Sequence, residues 1–331
     1  MPKCYACLEE KKLKSQFYCK KCIDEVFGGV TPEPLDFDKK DFYIQRNELA
    51  HRMSISGVED KLSLTFNDNR LKVTATNGSY ILKPVPMSHQ IKNQEDVAAN
   101  EHLSMLISKK IFKIDTANCA VIPFRDGELA YITKRFDYTK DGTKYDQEDF
   151  ASILDVNSAK DGADYKYDAK TYLDCANAIK LNVPASIVTL EDFFKRILLN
   201  YLIANGDAHL KNFSLYSLPD SVDYRLTPNY DLLNTRFHVN EKYGDTALAL
   251  FDDYSDVFEQ VGYYTFYDFK LFATYLGINE KRFNKILTQV NSSITKVEDL
   301  INASFLSDEG KVFYLEKYKE RLKRVNYQIN K

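Results

Sequence analysis

The sequence predicts an α+β fold in two lobes, a small mixed α/β lobe followed by a mostly helical one, with a cysteine module in front. Three observations carry this. Apolar and polar side chains alternate through residues 62–83, interrupted by turn residues. Helical periodicity takes over from Thr189 and returns beyond residue 265. Four of the six cysteines fall within the first 22 residues. The expected boundaries are 1–30 for the cysteine module, 31–137 for the small lobe and 138–331 for the helical lobe.

The bulk properties bound the function. A chain of 331 residues can bury a sizeable core in two lobes. Its net charge of −3 argues against a broad nucleic-acid surface, so any DNA contact is expected only through a partner chain. No apolar run is long enough to span a bilayer, and no membrane partner is expected. The start, Met1-Pro2-Lys3-Cys4, lacks the apolar core of a signal peptide, so a cytoplasmic setting is expected.

That setting favours metal over disulfide for the first cysteines. Cys4-x2-Cys7 and Cys19-x2-Cys22 can each offer two thiolates from a tight turn to one tetrahedral zinc ion. The ion would be structural, because four cysteines leave no open coordination position. The alternative is a pair of disulfides, which a reducing compartment disfavours. Cys119 and Cys175 stand apart and are expected as small core side chains.

Gly28-Gly29 and Thr31-Pro32-Glu33-Pro34 form a linker by composition. Leu62 to Phe66 alternates as a half-buried strand, Asn67-Asp68-Asn69 turns, and Leu71 to Val73 resumes the alternation. Asn77-Gly78 marks another hairpin, followed by the strand Tyr80 to Lys83, which Pro84 and Pro86 end. A helix is expected over 96–110, with Ala99, Leu103, Leu106 and Ile107 on one face. Strands follow at Cys119 to Pro123 and Leu129 to Thr133. Residues 139–168 are polar and are expected as a long connection before a helix from Thr171 to Leu181. Thr189 is the expected N-cap of a central helix, with Asp192 in a capping-box role. That helix is expected to end at Gly206. A last helix covers Ser307 to Tyr327.

Chemistry concentrates just past the central helix. Asp207 and Asn212 are separated by four residues, the spacing of a protein-kinase catalytic loop. There the Asp accepts the acceptor hydroxyl's proton and the Asn holds magnesium. Asp231 offers a second hard oxygen ligand. Taken alone, Asp207 is an ordinary turn residue after a helix; Asn212 and Asp231 change that weighing. Lys211 can neutralise the transferred phosphoryl group or simply face solvent, and His209 is expected as a structural hydrogen-bonding residue. Lys83, at a strand end, can contact nucleotide phosphates, and Glu101 can supply the carboxylate that positions it. The alternative for Asn100-Glu101 is a solvent-facing helix pair. Ser54 to Lys61 precedes the first strand where a phosphate-covering loop belongs, although only Gly57 is a glycine there.

These residues resemble the HipA-type serine/threonine kinases, the toxins of bacterial toxin–antitoxin modules, and most closely the compact HipT branch. The resemblance rests on Ser54-Ile55-Ser56-Gly57 with Lys61, Ile81-Leu82-Lys83-Pro84, Asn100-Glu101-His102 and Arg135-Phe136-Asp137. Asp207-x-His209-x-Lys211-Asn212-Phe213 and Leu226-Thr227-Pro228-x-Tyr230-Asp231 complete it, in family order. It implies a two-lobed protein-kinase-like, HipA-like fold with a zinc-knuckle-like module added at the N-terminus.

The resemblance implies the following roles. Asp207 would be the catalytic aspartate, assisted by Lys211. Ser56, Gly57, Lys61, Lys83 and Glu101 would serve ATP, with Lys134 and Phe136 in an adenine-contacting hinge over 131–137. Asn212 and Asp231 would hold magnesium. Ser54, or its neighbour Ser56, would be the serine whose autophosphorylation silences the enzyme. Glu59 stands where the family usually has Gln. Implied partners are antitoxin proteins of the HipB or HipS type and a protein substrate such as an aminoacyl-tRNA synthetase. The setting would be the bacterial cytoplasm, with export to a host cell left open. Two alternatives stay beside this: a catalytically weak kinase-like protein that holds a partner, and a kinase acting on a lipid or small molecule.

Overall fold

The computed structural model describes residues 1–49, 61–76, 78–85, 91–139, 141–239 and 245–328, without the side chains of 47–49. Ser54, Ser56, Gly57 and Glu59 lie outside the described residues. The chain forms two compact units. One comprises Met1–Leu106, Ala117–Arg135 and Leu300–Lys311; the other comprises Ile107–Thr116, Phe136–Asp299 and Val312–Lys331.

The first unit holds helices α1 (Lys20–Phe27), α2 (Lys39–Leu49) and α3 (Val97–Ile107), of which only Ile107 is assigned to the second unit. It also holds strands β1 (Leu62–Asn67), β2 (Arg70–Val73), β3 (Tyr80–Lys83), β4 (Cys119–Pro123) and β5 (Leu129–Lys134). These make one five-stranded antiparallel sheet in the order β2-β1-β3-β5-β4. Leu62 opposes Leu82 and Leu82 opposes Ile132, so one apolar row crosses the sheet. That row joins Cys4, Cys7, Cys19, Cys22, Ile23, Phe27 and Phe42 in a single core cluster. The cysteine module is thus packed onto the sheet. Tyr18 donates its hydroxyl to the Val121 carbonyl at 2.9 Å, and the Val121 N–H donates to the Tyr5 carbonyl at 3.1 Å. Gly78 is needed where β1 and β3 approach, because a Cβ there would lie 1.8 Å from the Ser63 hydroxyl.

The second unit opens with β6 (Asp146–Asp149) and three single-turn helices, α4 (Phe150–Ile153), α5 (Ser158–Asp161) and α6 (Tyr165–Asp168). Helices α7 (Tyr172–Asn182) and α8 (Ser186–Leu202) follow, then β7 (Ser214–Ser217) and β8 (Arg225–Leu226). A small antiparallel sheet runs β6-β7-β8. Helices α9 (Asp256–Val261), α10 (Phe266–Tyr275), α11 (Glu280–Ser292), α12 (Ile294–Ala303) and α13 (Asp308–Val325) end the chain. Among the described residues no helix is long and apolar enough to cross a membrane.

The strands and helices expected from periodicity are present, with three differences. The segment expected as a connection over 139–168 is folded in its described part, 139 and 141–168: β6 pairs residue for residue with β7, from Asp146 opposite Ser217 to Asp149 opposite Ser214. The central helix α8 starts at Ser186, three residues before the expected cap. Thr189 therefore sits inside it and returns its hydroxyl to the Ala185 carbonyl at 3.0 Å, while Asp192 pairs with Arg196 at 2.8 Å. The turn out of α8 is made by Ala204 at φ 55°, not by Gly206. A non-glycine in this region costs about 1–2 kcal/mol, so the surroundings hold it there.

Candidate active site

The loop after α8 is fixed from its backbone outward. Asn205 Nδ2 donates to Asn200 Oδ1 at 2.8 Å, and Asn205 Oδ1 accepts the Asp207 N–H at 3.1 Å. Gly206 N–H donates to the Thr235 hydroxyl at 2.9 Å, and that hydroxyl lies 3.3 Å from the Ala204 carbonyl. The buried Tyr172 hydroxyl donates to the Ala208 carbonyl at 2.8 Å. Asn200, Asn205 and Thr235 are all buried polar residues, so each lost bond would strand a partner at about 1–3 kcal/mol. This network leaves Asp207 itself exposed, with its carboxylate accepting from the Tyr167 hydroxyl. Tyr167 lies on α6, within the segment expected as a connection.

Asn212 and Asp231 meet, with Asn212 Nδ2 donating to Asp231 Oδ2 at 2.8 Å. A carboxylate only accepts, so the amide nitrogen must face it. Asn212 Oδ1 is then left buried with no hydrogen-bond partner among the described residues. Asp231 is held at φ 59°. Asn229 anchors its loop, with its N–H on the Asp115 carbonyl at 2.7 Å and Nδ2 on the Ser108 hydroxyl at 3.1 Å. One carboxylate and an amide oxygen lacking a partner are a donor set for a hard divalent cation that keeps water and phosphate oxygens around it.

Lys211 is not left to solvent. Its Nζ lies 3.4 Å from Asp149 Oδ2, and Asp149 also caps α4 by accepting the Ser152 N–H at 2.9 Å. His209 Nδ1 is buried without a hydrogen-bond partner among the described residues, and its ring packs edge-on to Tyr167 at 5.1 Å. The expected hydrogen-bonding role is therefore not made at that atom. Burial pulls the His209 pKa below its ordinary value, against the attraction of Asp207, which keeps the ring neutral at pH 7. The Phe136 ring packs tilted against Tyr230, next to Asp231, with centroids 5.5 Å apart.

In the first unit, Lys83 Nζ lies 3.0 Å from Glu101 Oε1, with side-chain exposures of 15% and 6%. The alternative of a solvent-facing Asn100-Glu101 pair is excluded, since Asn100, Glu101, His102 and Ser104 are all buried. Helix α3 is buried on every side rather than along one face. Lys61 is half-buried just ahead of β1, and Lys134 ends β5 with its N–H on the Asn118 carbonyl at 2.8 Å.

The four N-terminal thiols converge. Cys4, Cys7, Cys19 and Cys22 are all buried, and their Sγ atoms all lie within 4.8 Å of one another. Four sulfurs around zinc at about 2.3 Å stand roughly 3.8 Å apart, so the cluster fits that ion. Hydrogen bonds from Cys22, then Cys7, and from the Cys19 N–H at 3.3 Å pull the Cys4 pKa well down. Cys119 and Cys175 are buried apart from this cluster, as small core side chains are.

Sequence reasoning missed Tyr167, Asp149 and the Asn200-Asn205-Thr235 network. The first two sit on single-turn or strand elements too short for a periodic signal. An Asn-rich helix end, Asn200 and Asn205 flanking the turn, was the available clue to the third.

The HipA-like C-terminal domain model matches residues 53–297. A candidate kinase of Haemophilus influenzae is 27% identical over 308 residues, covering 88% of this chain and 87% of that protein. The serine/threonine-protein kinase toxin HipA of Shewanella oneidensis is 22% identical over 295 residues, covering 82% of this chain and 62% of that one. The solved complex of the Shewanella oneidensis toxin–antitoxin system HipA, HipB and operator DNA matches in fold, with a TM-score of 0.61 at 21% identity. That match covers 90% of this chain and 72% of the other. With the sheet and helix order described above, the chain belongs to the HipA-like C-terminal domain family.

Proposed function

We propose that the chain is an ATP- and magnesium-dependent serine/threonine kinase. The observation that carries this is the Asn212–Asp231 pair at 2.8 Å, with a buried Asn212 Oδ1 left for a cation. The held Lys83–Glu101 pair agrees with it. Lys83, Lys61, Ser56 and Gly57 bind the nucleotide phosphates, and Lys134 and Phe136 serve the adenine end. Glu101 keeps the Lys83 ammonium in place. Asp207 orients the acceptor hydroxyl and takes its proton as that oxygen bonds to the γ-phosphorus. The bond from phosphorus to the bridging oxygen then breaks and ADP leaves. Lys211, aligned by Asp149, offsets charge on the phosphoryl oxygens. Asn212 and Asp231 would hold magnesium, which would supply charge neutralisation on the phosphates. Tyr167 sits on Asp207 where an acceptor hydroxyl must dock, so substrate entry displaces it.

The biological reading follows the same relatives. The chain acts as the toxin of a toxin–antitoxin module in the bacterial cytoplasm and binds an antitoxin of the HipB or HipS type, reaching DNA only through it. Its substrate is a protein of translation, an aminoacyl-tRNA synthetase being the first to assay. Autophosphorylation at Ser54 or Ser56 places charge where ATP phosphates belong and switches the enzyme off. Zinc on the four cysteines is structural.

Calorimetry with ATP tests the core of this. Binding is expected with magnesium, weakened about tenfold or more in Lys83→Ala, on the scale of a lost charge-assisted hydrogen bond. Absence of binding by the wild-type protein would leave a kinase-like fold that holds partners.

A further inference from the structure

Two elements present the Lys83–Glu101 pair, and the cysteine module grips both. Lys83 ends β3, and the same strand carries Tyr80, whose buried hydroxyl donates to the Val26 carbonyl of α1 at 3.3 Å. Glu101 lies on α3, and the next residue, His102, places Nε2 3.0 Å from the Ala6 carbonyl. A carbonyl only accepts, so Nε2 carries the proton. His102 is 1% exposed and Ala6 is 3% exposed, so water does not replace this bond when it breaks.

The two carbonyls belong to the thiolate-bearing segments. Ala6 lies between Cys4 and Cys7, and α1 begins directly after Cys19 and includes Cys22. Drawing the four sulfurs onto one ion therefore sets the positions of both carbonyls relative to each other. One holds the strand of Lys83 and the other holds the helix of Glu101. A third tie closes the module onto the unit, with Lys3 Nζ donating to the Ala303 carbonyl at 2.8 Å.

We propose that the cysteine module is a positioning device for the Lys83–Glu101 pair, acting through His102 on the helix side and Tyr80 on the strand side. His102 touches no reacting group, and its role is to keep α3 at the depth where Glu101 reaches Lys83. Loss of the metal, or of the His102 bond, loosens α3 and parts Glu101 from the Lys83 ammonium. The functional value of the pair rests on the phosphate-binding role given to Lys83 above, but the coupling itself does not.

The test measures the pair directly. The full-length, zinc-loaded protein is pulsed with an amine-acylating reagent, and modification of Lys83 is followed by mass spectrometry, with exposed Lys285 as internal reference. Glu101→Gln sets the rate for a Lys83 that lacks the Glu101 carboxylate. His102→Ala is expected to raise Lys83 labelling about tenfold towards that rate, the population shift from one lost buried hydrogen bond, with Lys285 unchanged. His102→Gln, whose Nε2 can donate from the same place, is expected to return labelling towards wild type. A chelator is expected to raise Lys83 labelling in wild type as well. Wild-type labelling in His102→Ala, with Glu101→Gln raised, would overturn the proposal. Should His102→Ala fail to fold, unchanged Lys83 labelling after metal removal from wild type would overturn it equally. Failure of the kinase reading would show separately, as absence of magnesium-dependent ATP binding, which the labelling does not use.

Discussion

Replacing Asp231 with Asn is expected to cut magnesium-dependent phosphoryl transfer by about a hundredfold or more, several kcal/mol of transition-state stabilisation. The substitution isolates charge from backbone. Asp231 stands at φ 59°, which Asn adopts readily, whereas Ala would add strain. Asn also keeps a group able to accept from Asn212 Nδ2, so the 2.8 Å contact can persist. What is lost is the charge, and with it the anionic ligand of the proposed magnesium site. The loss should fall on kcat, with a steeper magnesium requirement, while the thermal midpoint moves little. Kinetics across a magnesium titration, paired with a melt, check this. A variant as active as wild type at every magnesium level would remove Asp231 from the metal site.

Cys22→Ser is expected to unfold the N-terminal module and to carry part of the first unit with it. The four sulfurs are buried and belong to the same core cluster as Leu62, Leu82 and Ile132. A serine there supplies a weak ligand and puts a hydroxyl among apolar neighbours. Structural zinc contributes on the order of 10 kcal/mol to small metal-bound modules, comparable to the whole stability of a typical domain. Zinc content by metal assay should fall from about one per chain to near zero. Limited proteolysis should open near the N-terminus. A wild-type protein that carries no zinc and stays folded in chelator would contradict the metal assignment.

The parts of this molecule legible in the sequence are those where one local rule decides. The strands β1, β2 and β3 alternate cleanly between turn residues, and α8 has a broad apolar face ending near Asp207. The cysteine pairs announce their convergence because chelation demands two ligands from each turn. The spacing of Asp207, Asn212 and Asp231 was visible, and Asn212 does meet Asp231.

What was hidden depends on distant partners. Strand β6, Asp146–Asp149, has no apolar residue and is a strand only because β7 pairs with it. The start of α8 reads as Thr189 because Thr is a strong cap. Yet the helix is extended N-terminally to Ser186 despite an uncapped Ala185 and exposed Ile187 and Val188. The turn after α8 uses Ala204 where glycine is the usual choice, since hydrogen bonds to Thr235 fix both sides of it. Helix α3 looked amphipathic because Asn100, Glu101, His102 and Ser104 are polar. They are buried, Glu101 against Lys83 and His102 against the cysteine module, and a sequence does not display those partners.

The most direct measurement is transfer of labelled γ-phosphate from ATP in magnesium, to the protein itself and to lysate proteins, by wild type and by Asp207→Ala. The account predicts a labelled protein band with wild type that is lost in the variant, which keeps its fold because the loop network uses the Asp207 backbone rather than its exposed carboxylate. Equal labelling by the two proteins, or none by a wild type free of phosphate at Ser54 and Ser56, would contradict it.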